Sequence, residues 1–177
     1  EPGGTILYDP RSSRAVPDVV AAAGGRTDLS RVGHAFFKLR MREENAVFGG
    51  EVSGHYYFRD FYCADSGSIP ALRLLELLSV DGRSLSELME EFHSKYFISG
   101  EINSEVEDPQ AMMDQIEAMH PEAEITHLDG VSIDYEDWHF NVRPSNTEPL
   151  LRLNLESLVS KEDMEQKRDE VLAVIRG

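Results

Sequence analysis

The chain has 177 residues, 41% of them hydrophobic and 28% charged, with 33 acidic against 17 basic side chains and a formal net charge of −16. Such a length and composition suit one large or two small packed domains, and the negative field disfavours nucleic acid and anionic membrane surfaces as partners. A single cysteine, Cys63, rules out an intrachain disulfide and a cysteine-based zinc site; with no apolar run of spanning length, the expectation is a cytoplasmic protein that does not enter membranes.

The chain opens on Glu-Pro-Gly-Gly without an initiator methionine, which reads as a piece of something longer. Residues 5–9 form a short apolar strand ending at Asp9-Pro10, and "SRAVPDVVAAAGG" gives a helix closed by a glycine pair. "HAFFKLRMREEN" is helical, with Phe37 and Met41 on one side. "AVFGGEVSGHYYF" supplies two short apolar segments split by a loop, "GGEVSGH", that is too glycine-rich for a strand interior. In "DSGSIPALRLLELLSVDGRS", Ile69, Leu72, Leu75 and Leu78 repeat near the 3.6 period and Asp-Gly ends the helix. "SLSELMEEFHSKY" adds another helix as a bridge.

Beyond residue 95 the pattern changes. "FISGEINSEV" is strand-like, and "DPQAMMDQIEAMH" has Asp108 as N-cap, Pro109 at the first helical position and Met112, Ile116 and Met119 on one face. The next stretch reads as strand, Asp-Gly turn, strand, strand, loop and strand, and a charged helix closes the chain. The prediction is an α/β unit over 1–94 followed by an α+β unit over 95–177.

Charge is uneven along this plan. Residues 1–60 balance eight basic against eight acidic side chains, so 61–177 carries the whole deficit of sixteen. Against that acidic background "NVRPSNTEPLLRLNLE" places Arg143 among small polar residues just before the alternation Leu151, Leu153, Leu155 of a half-buried strand. Arg143 offers a planar fork of donors, Ser145 and Thr147 offer hydroxyls, and Asn146 an amide, a set suited to the oxygens of a phosphate. The alternative is a plain turn, with Arg143 paired to one of many acids.

In "GGEVSGH", Glu51, Ser53 and His55 alternate, so an extended backbone would point all three to one side, where they could bind sugar hydroxyls and move a proton. A glycine-rich turn with an incidental histidine is the competing reading. Arg11 and Arg14 follow the first strand, where open α/β sheets tend to bind ligands. His34 opens a helix, and the remaining histidines show no metal-ligand spacing.

Four ordered stretches, "ILYDPRSSR", "VGHAFFKLRMREENAVFGGEVSGHYYF", "DSGSIPALRLLELL" and "VRPSNTEPLLRLNLE", together resemble the α-D-phosphohexomutase superfamily, and within it the bacterial phosphomannomutase/phosphoglucomutase type. The resemblance implies the third, α/β domain over 1–94 and the fourth, TATA-binding-protein-like α+β domain over 95–177. It implies an enzyme that interconverts hexose 1-phosphate and 6-phosphate through a 1,6-bisphosphate. Glu51 and Ser53 would then contact the sugar, while Arg143, Ser145, Asn146 and Thr147 would grip the phosphate not being transferred. Arg11, His34 and His55 would be active-site groups. The family's phosphoserine and its Asp-Gly-Asp magnesium loop are not in this sequence, so by the same resemblance Mg2+ belongs to the longer parent, whose N-terminal domains are the missing partners. The chain alone is expected to be inactive. Alternatives from the same residues are a free-standing phosphosugar-binding module and a phosphoglucosamine mutase fragment.

Overall fold

β1 (Thr5–Tyr8) lies between two parallel neighbours, pairing with β2 (Arg26–Leu29) in the register Thr5↔Arg26 to Tyr8↔Leu29, and with β3 (Phe48–Gly50) from Ile6↔Phe48 to Tyr8↔Gly50. This computed structural model describes residues 1–145 and 148–177. The chain divides into two compact units, Glu1–His93 and Ser94–Gly177.

In the first unit the sheet order is β2-β1-β3-β4-β5, where β4 (Tyr56–Phe58) and β5 (Ala64–Asp65) add antiparallel strands. Helix α1 (Ala15–Ala22) connects β1 to β2 and α2 (His34–Glu43) connects β2 to β3, the crossovers that parallel strands require. Leu7, Phe37, Met41, Ala46, Tyr57 and Cys63 form the core, each large apolar side chain contributing roughly 1.5–3 kcal/mol on burial. Phe37 stacks on Tyr57 with ring centroids 5.3 Å apart.

Two sequence expectations are corrected here. Gly49 and Gly50 are strand, not loop: a Cβ on Gly49 would stand 3.0 Å from Phe37 Cδ1, so glycine is what lets α2 approach the sheet. Beyond it the chain is not extended. Gly54 has φ +84 and its N–H donates to the Glu51 carbonyl, forming a turn across residues 51–54. The helix read from Ile69 to Leu78 is present as α3 (Ser68–Asp81), ended by Gly82 in the left-handed region. Its leucines are not core, however, with Leu72 67% and Leu75 60% exposed. A short α4 (Leu85–His93) ends the unit, and its first turn is capped by Ser84 and Glu87 reciprocally.

The second unit is an antiparallel sheet, β6 (Phe97–Ile98), β11 (Leu150–Ser157), β10 (Trp138–Pro144), β9 (Val131–Asp134) and β8 (Glu124–Thr126) in that order, with β7 (Ile102–Glu105) also pairing to β11. Alternation sorts its two faces. Val131, Ile133, Phe140, Val142, Leu151, Leu153 and Leu155 meet Met113 and Ile116 of α5 (Pro109–Met119) and Met164, Val171, Leu172 and Ile175 of α6 (Lys161–Arg176). Asp108 caps α5 by accepting from the Gln110 and Ala111 N–H groups, as its place before Pro109 predicts. The buried face of α5 is set by Met113 and Ile116, while Met119 is half exposed, a shift of about one position from the sequence reading. Opposite the helices, β10 and β11 present His139, Asn141 and Arg143 against Glu156, Asn154 and Arg152. Among the described residues, no helix is long and apolar enough to cross a membrane.

Candidate functional site

In the first unit the candidate residues share one edge of the sheet. Arg11 follows the carboxyl end of β1, His34 that of β2, and Glu51, Ser53 and His55 that of β3. In an open α/β sheet this edge is where loops from several strands converge on a ligand.

Two buried carboxylates tie these loops together. Asp9, fully buried, accepts from the Arg11 backbone N–H (2.8 Å) and Nε (3.0 Å) at Oδ1, and from Arg11 Nη2 (2.7 Å) and the Val52 N–H (2.9 Å) at Oδ2. Arg11 is thereby fixed to the loop after β3. Glu51, 4% exposed, accepts from the Gly33 N–H at Oε2 (2.7 Å) and from the Tyr57 hydroxyl at Oε1 (2.5 Å). Burial and this hydrogen bond to Glu51 raise the Tyr57 phenol well above its ordinary range, so it stays a donor. Gly33 precedes His34, so Glu51 links the start of α2 to the loop after β3.

Ser53, His34 and His55 are exposed at this edge. His55 Nδ1 lies 2.7 Å from Asp65 Oδ2, and the hydrogen bond to that carboxylate raises the imidazole's pKa while lowering that of Asp65. A histidine oriented through Nδ1 keeps Nε2 for other chemistry, an arrangement suited to proton transfer or to an anionic oxygen. The turn at 51–54 separates the three alternating residues by environment: Glu51 points into the protein, Ser53 and His55 outward. Asp9, Tyr57 and Asp65 escaped the sequence reading. Only Asp9 had a local signal, its place two residues before Arg11.

The second unit holds the other candidates. Arg143 is 9% exposed near the end of β10, and Ser145 follows the strand, its N–H donating to the Leu150 carbonyl at 2.8 Å. Asn146 and Thr147 lie outside the described residues. Arg143 faces Arg152 in register across β10 and β11. Glu101 bridges the two, accepting from Arg143 Nη2 at 3.0 Å and from Arg152 Nη1 at 3.1 Å, and Arg152 Nη2 reaches Ser145 Oγ at 3.4 Å. The Nε atoms of both arginines are buried and lack a hydrogen-bond partner among the described residues. Two guanidiniums with donors to spare are a set whose chemistry suits an oxyanion. The sequence alone does not single out Arg152, which falls on an outward position of an alternating strand; the register with Arg143 reveals it.

No cluster of three or more His, Cys, Asp or Glu side chains among the described residues could hold a metal ion. The acidic groups at the edge of the first unit are already committed to Arg11, Val52, Gly33 and Tyr57. The described residues do not fit a magnesium site.

Residues 1–96 match the family model described as phosphoglucomutase/phosphomannomutase, alpha/beta/alpha domain III, and residues 101–174 match that of the phosphoglucomutase/phosphomannomutase C-terminal domain. The phosphohexose mutases of Xanthomonas campestris pv. campestris are 45% identical over 179 residues, covering 100% of this chain and 40% of theirs. A phosphomannomutase of Salmonella montevideo is 45% identical over 178 residues, 99% of this chain and 39% of its own. The chain therefore spans about two-fifths of the length of these relatives. A crystal structure of a phosphoglucomutase/phosphomannomutase family protein from Burkholderia thailandensis superposes with a TM-score of 0.79 at 28% identity, covering 98% of this chain and 37% of that one. An Aspergillus fumigatus N-acetylphosphoglucosamine mutase in complex with glucose 1,6-bisphosphate gives a TM-score of 0.69 at 13% identity, over 98% of this chain and 38% of its own, a likeness of fold alone. Matched in order and along nearly their whole length, the two units place the chain in the phosphoglucomutase/phosphomannomutase family.

Proposed function

We propose that the chain supplies the sugar- and phosphate-recognition surfaces of a phosphohexomutase, which interconverts hexose 1-phosphate and 6-phosphate through a 1,6-bisphosphate. On this reading Ser53 contacts sugar hydroxyls together with any lone pairs that Glu51 keeps free, and His34, His55 and Arg11 line the edge where the transferring oxygen lies. Arg143, Ser145, Asn146 and Thr147 hold the phosphate that is not transferred, with Arg152 beside them. Phosphoryl transfer, with its phosphoserine and Mg2+, belongs to other domains of the longer protein.

The observation that carries the reading is the nine-tenths-buried Arg143, its Nε without a described partner, set against Arg152 at the end of a rigid sheet. Support comes also from the relatives, which are named as mutases of phosphohexoses and phosphomannose, and from the glucose 1,6-bisphosphate bound by the Aspergillus enzyme. Calorimetric titration of mannose 6-phosphate and glucose 6-phosphate into the chain and into Arg143→Ala tests it. Loss of one charge-assisted contact should weaken binding by roughly tenfold or more. Equal binding by the two proteins would remove the phosphate site from the chain.

A further inference from the structure

Arg143 and Arg152 stand directly opposite each other on paired strands, a like-charge juxtaposition that costs stability if nothing lies between. Glu101 lies between them, giving one carboxylate oxygen to each guanidinium, Oε2 to Arg143 at 3.0 Å and Oε1 to Arg152 at 3.1 Å. A phosphate bridging the same pair would use two of its oxygens in the same way. The bridge takes Nη2 of Arg143 and Nη1 of Arg152 and leaves both buried Nε atoms without a described partner, so each guanidinium keeps an Nε–H donor that the bridge does not use.

Glu101 is also the member of the trio that can leave. Its side chain is 29% exposed, like that of Arg152 at 30% and unlike that of Arg143 at 11%, so what sets it apart from both arginines is its backbone. It sits on the short connection between β6 and β7, directly after Gly100 with φ +70, whereas both arginines are fixed on paired strands.

We propose that Glu101 is a resident counter-anion of the arginine pair: it neutralises and orients Arg143 and Arg152 while the site is open, and gives way when a phosphate takes its place. The proposal rests on the phosphate-binding reading of this loop. It makes Glu101 a competitor that weakens phosphate binding, since a singly charged carboxylate must be displaced by a more highly charged group. Removing its charge should strengthen binding and, in the absence of phosphate, destabilise the unit.

Calorimetry with inorganic phosphate and with mannose 6-phosphate on the full 177-residue chain distinguishes the cases. Glu101→Gln should bind both roughly five- to tenfold more tightly than wild type, the weight of the partly exposed ion pairs released, and should melt at a lower temperature without phosphate. Glu105→Gln removes the same charge from β7 without touching the arginines and should change affinity by less than about twofold, as a screened surface charge does. Weaker or unchanged binding by Glu101→Gln overturns the proposal, as does an equal gain from Glu105→Gln, which would reduce the effect to the general negative field. Arg143→Ala separates the two levels. If it abolishes binding while Glu101→Gln does nothing, the counter-anion role alone fails; if phosphate binds Arg143→Ala and wild type alike, the phosphate reading fails and takes the proposal with it.

Discussion

A fully buried carboxylate that accepts four hydrogen bonds has no good substitute. Asp9 meets three donors of Arg11 and the N–H of Val52, two at each oxygen, so Asp9→Asn must turn an NH2 group towards two of them. It also breaks the ion pair with Arg11, whose side chain is 6% exposed, a loss of about 3–5 kcal/mol for a buried pair. The expected outcome is hydrogen exchange at the Val52 amide that accelerates far more than at Leu7 in the neighbouring strand. Equal acceleration at both sites would mean that the loop after β3 is held by something other than Asp9. Arg11 itself was legible in the sequence as a basic residue past the first strand. Its restraint was not, because hydrogen bonds such as that of Val52 to Asp9 join residues 43 positions apart. Glu51 shows the same limit: alternation with Ser53 and His55 suggested a shared face, yet the turn closed by Gly54 sends Glu51 inward to Gly33 and Tyr57.

Among the elements, those with strong periodicity were readable and those defined by packing were not. Leu151, Leu153 and Leu155 announce β11, and all three are core. β2, by contrast, is Arg-Thr-Asp-Leu, with no apolar run; pairing to β1 makes it a strand. α3 is readable as a helix, but its leucine stripe gives no information about whether a surface meets it. The Asp129-Gly130 pair marks the turn between β8 and β9 in the sequence, and packing gives the glycine a second role. Gly130 has φ +71, and a Cβ there would collide with the Val142 carbonyl and the Arg143 backbone. Gly130→Ala is therefore expected to lower the stability of the second unit by about 3 kcal/mol or more, combining left-handed strain with a backbone clash. Urea unfolding checks this: a change under about 1 kcal/mol would mean that the turn yields without disturbing the strand that carries Arg143.

At the scale of the whole molecule, the two units have separate cores and are expected to respond to pH differently. His120 is half-buried in the second unit against Tyr135, Trp138 and Phe140, with Nδ1 2.8 Å from the Tyr135 hydroxyl, and its partial burial lowers its pKa. A folded pKa below the unfolded value of about 6.5 means that the unfolded chain takes up the proton first, so this contribution is complete above about 6.5 and is lost as pH falls through the folded value. The urea midpoint of the second unit should drop between about pH 7.5 and 5.5, and His120→Phe should flatten that dependence. An identical pH response in the variant would assign the effect to other groups. In the first unit, His55 shifts the opposite way through Asp65, and its exposure leaves it little weight in stability.

The chain contains one cysteine and one tryptophan. Cys63 is a free thiol in the core of the first unit, while Trp138 stacks between Tyr135 and Phe140 in the second. The protein thus carries two native reporters that do not overlap. A thiol reagent labels the first unit only when its core opens, and indole emission follows the second alone. Running both readouts on one sample, without any added label in the second case, measures whether the two units melt together or one at a time, and whether a phosphosugar makes them do so in concert.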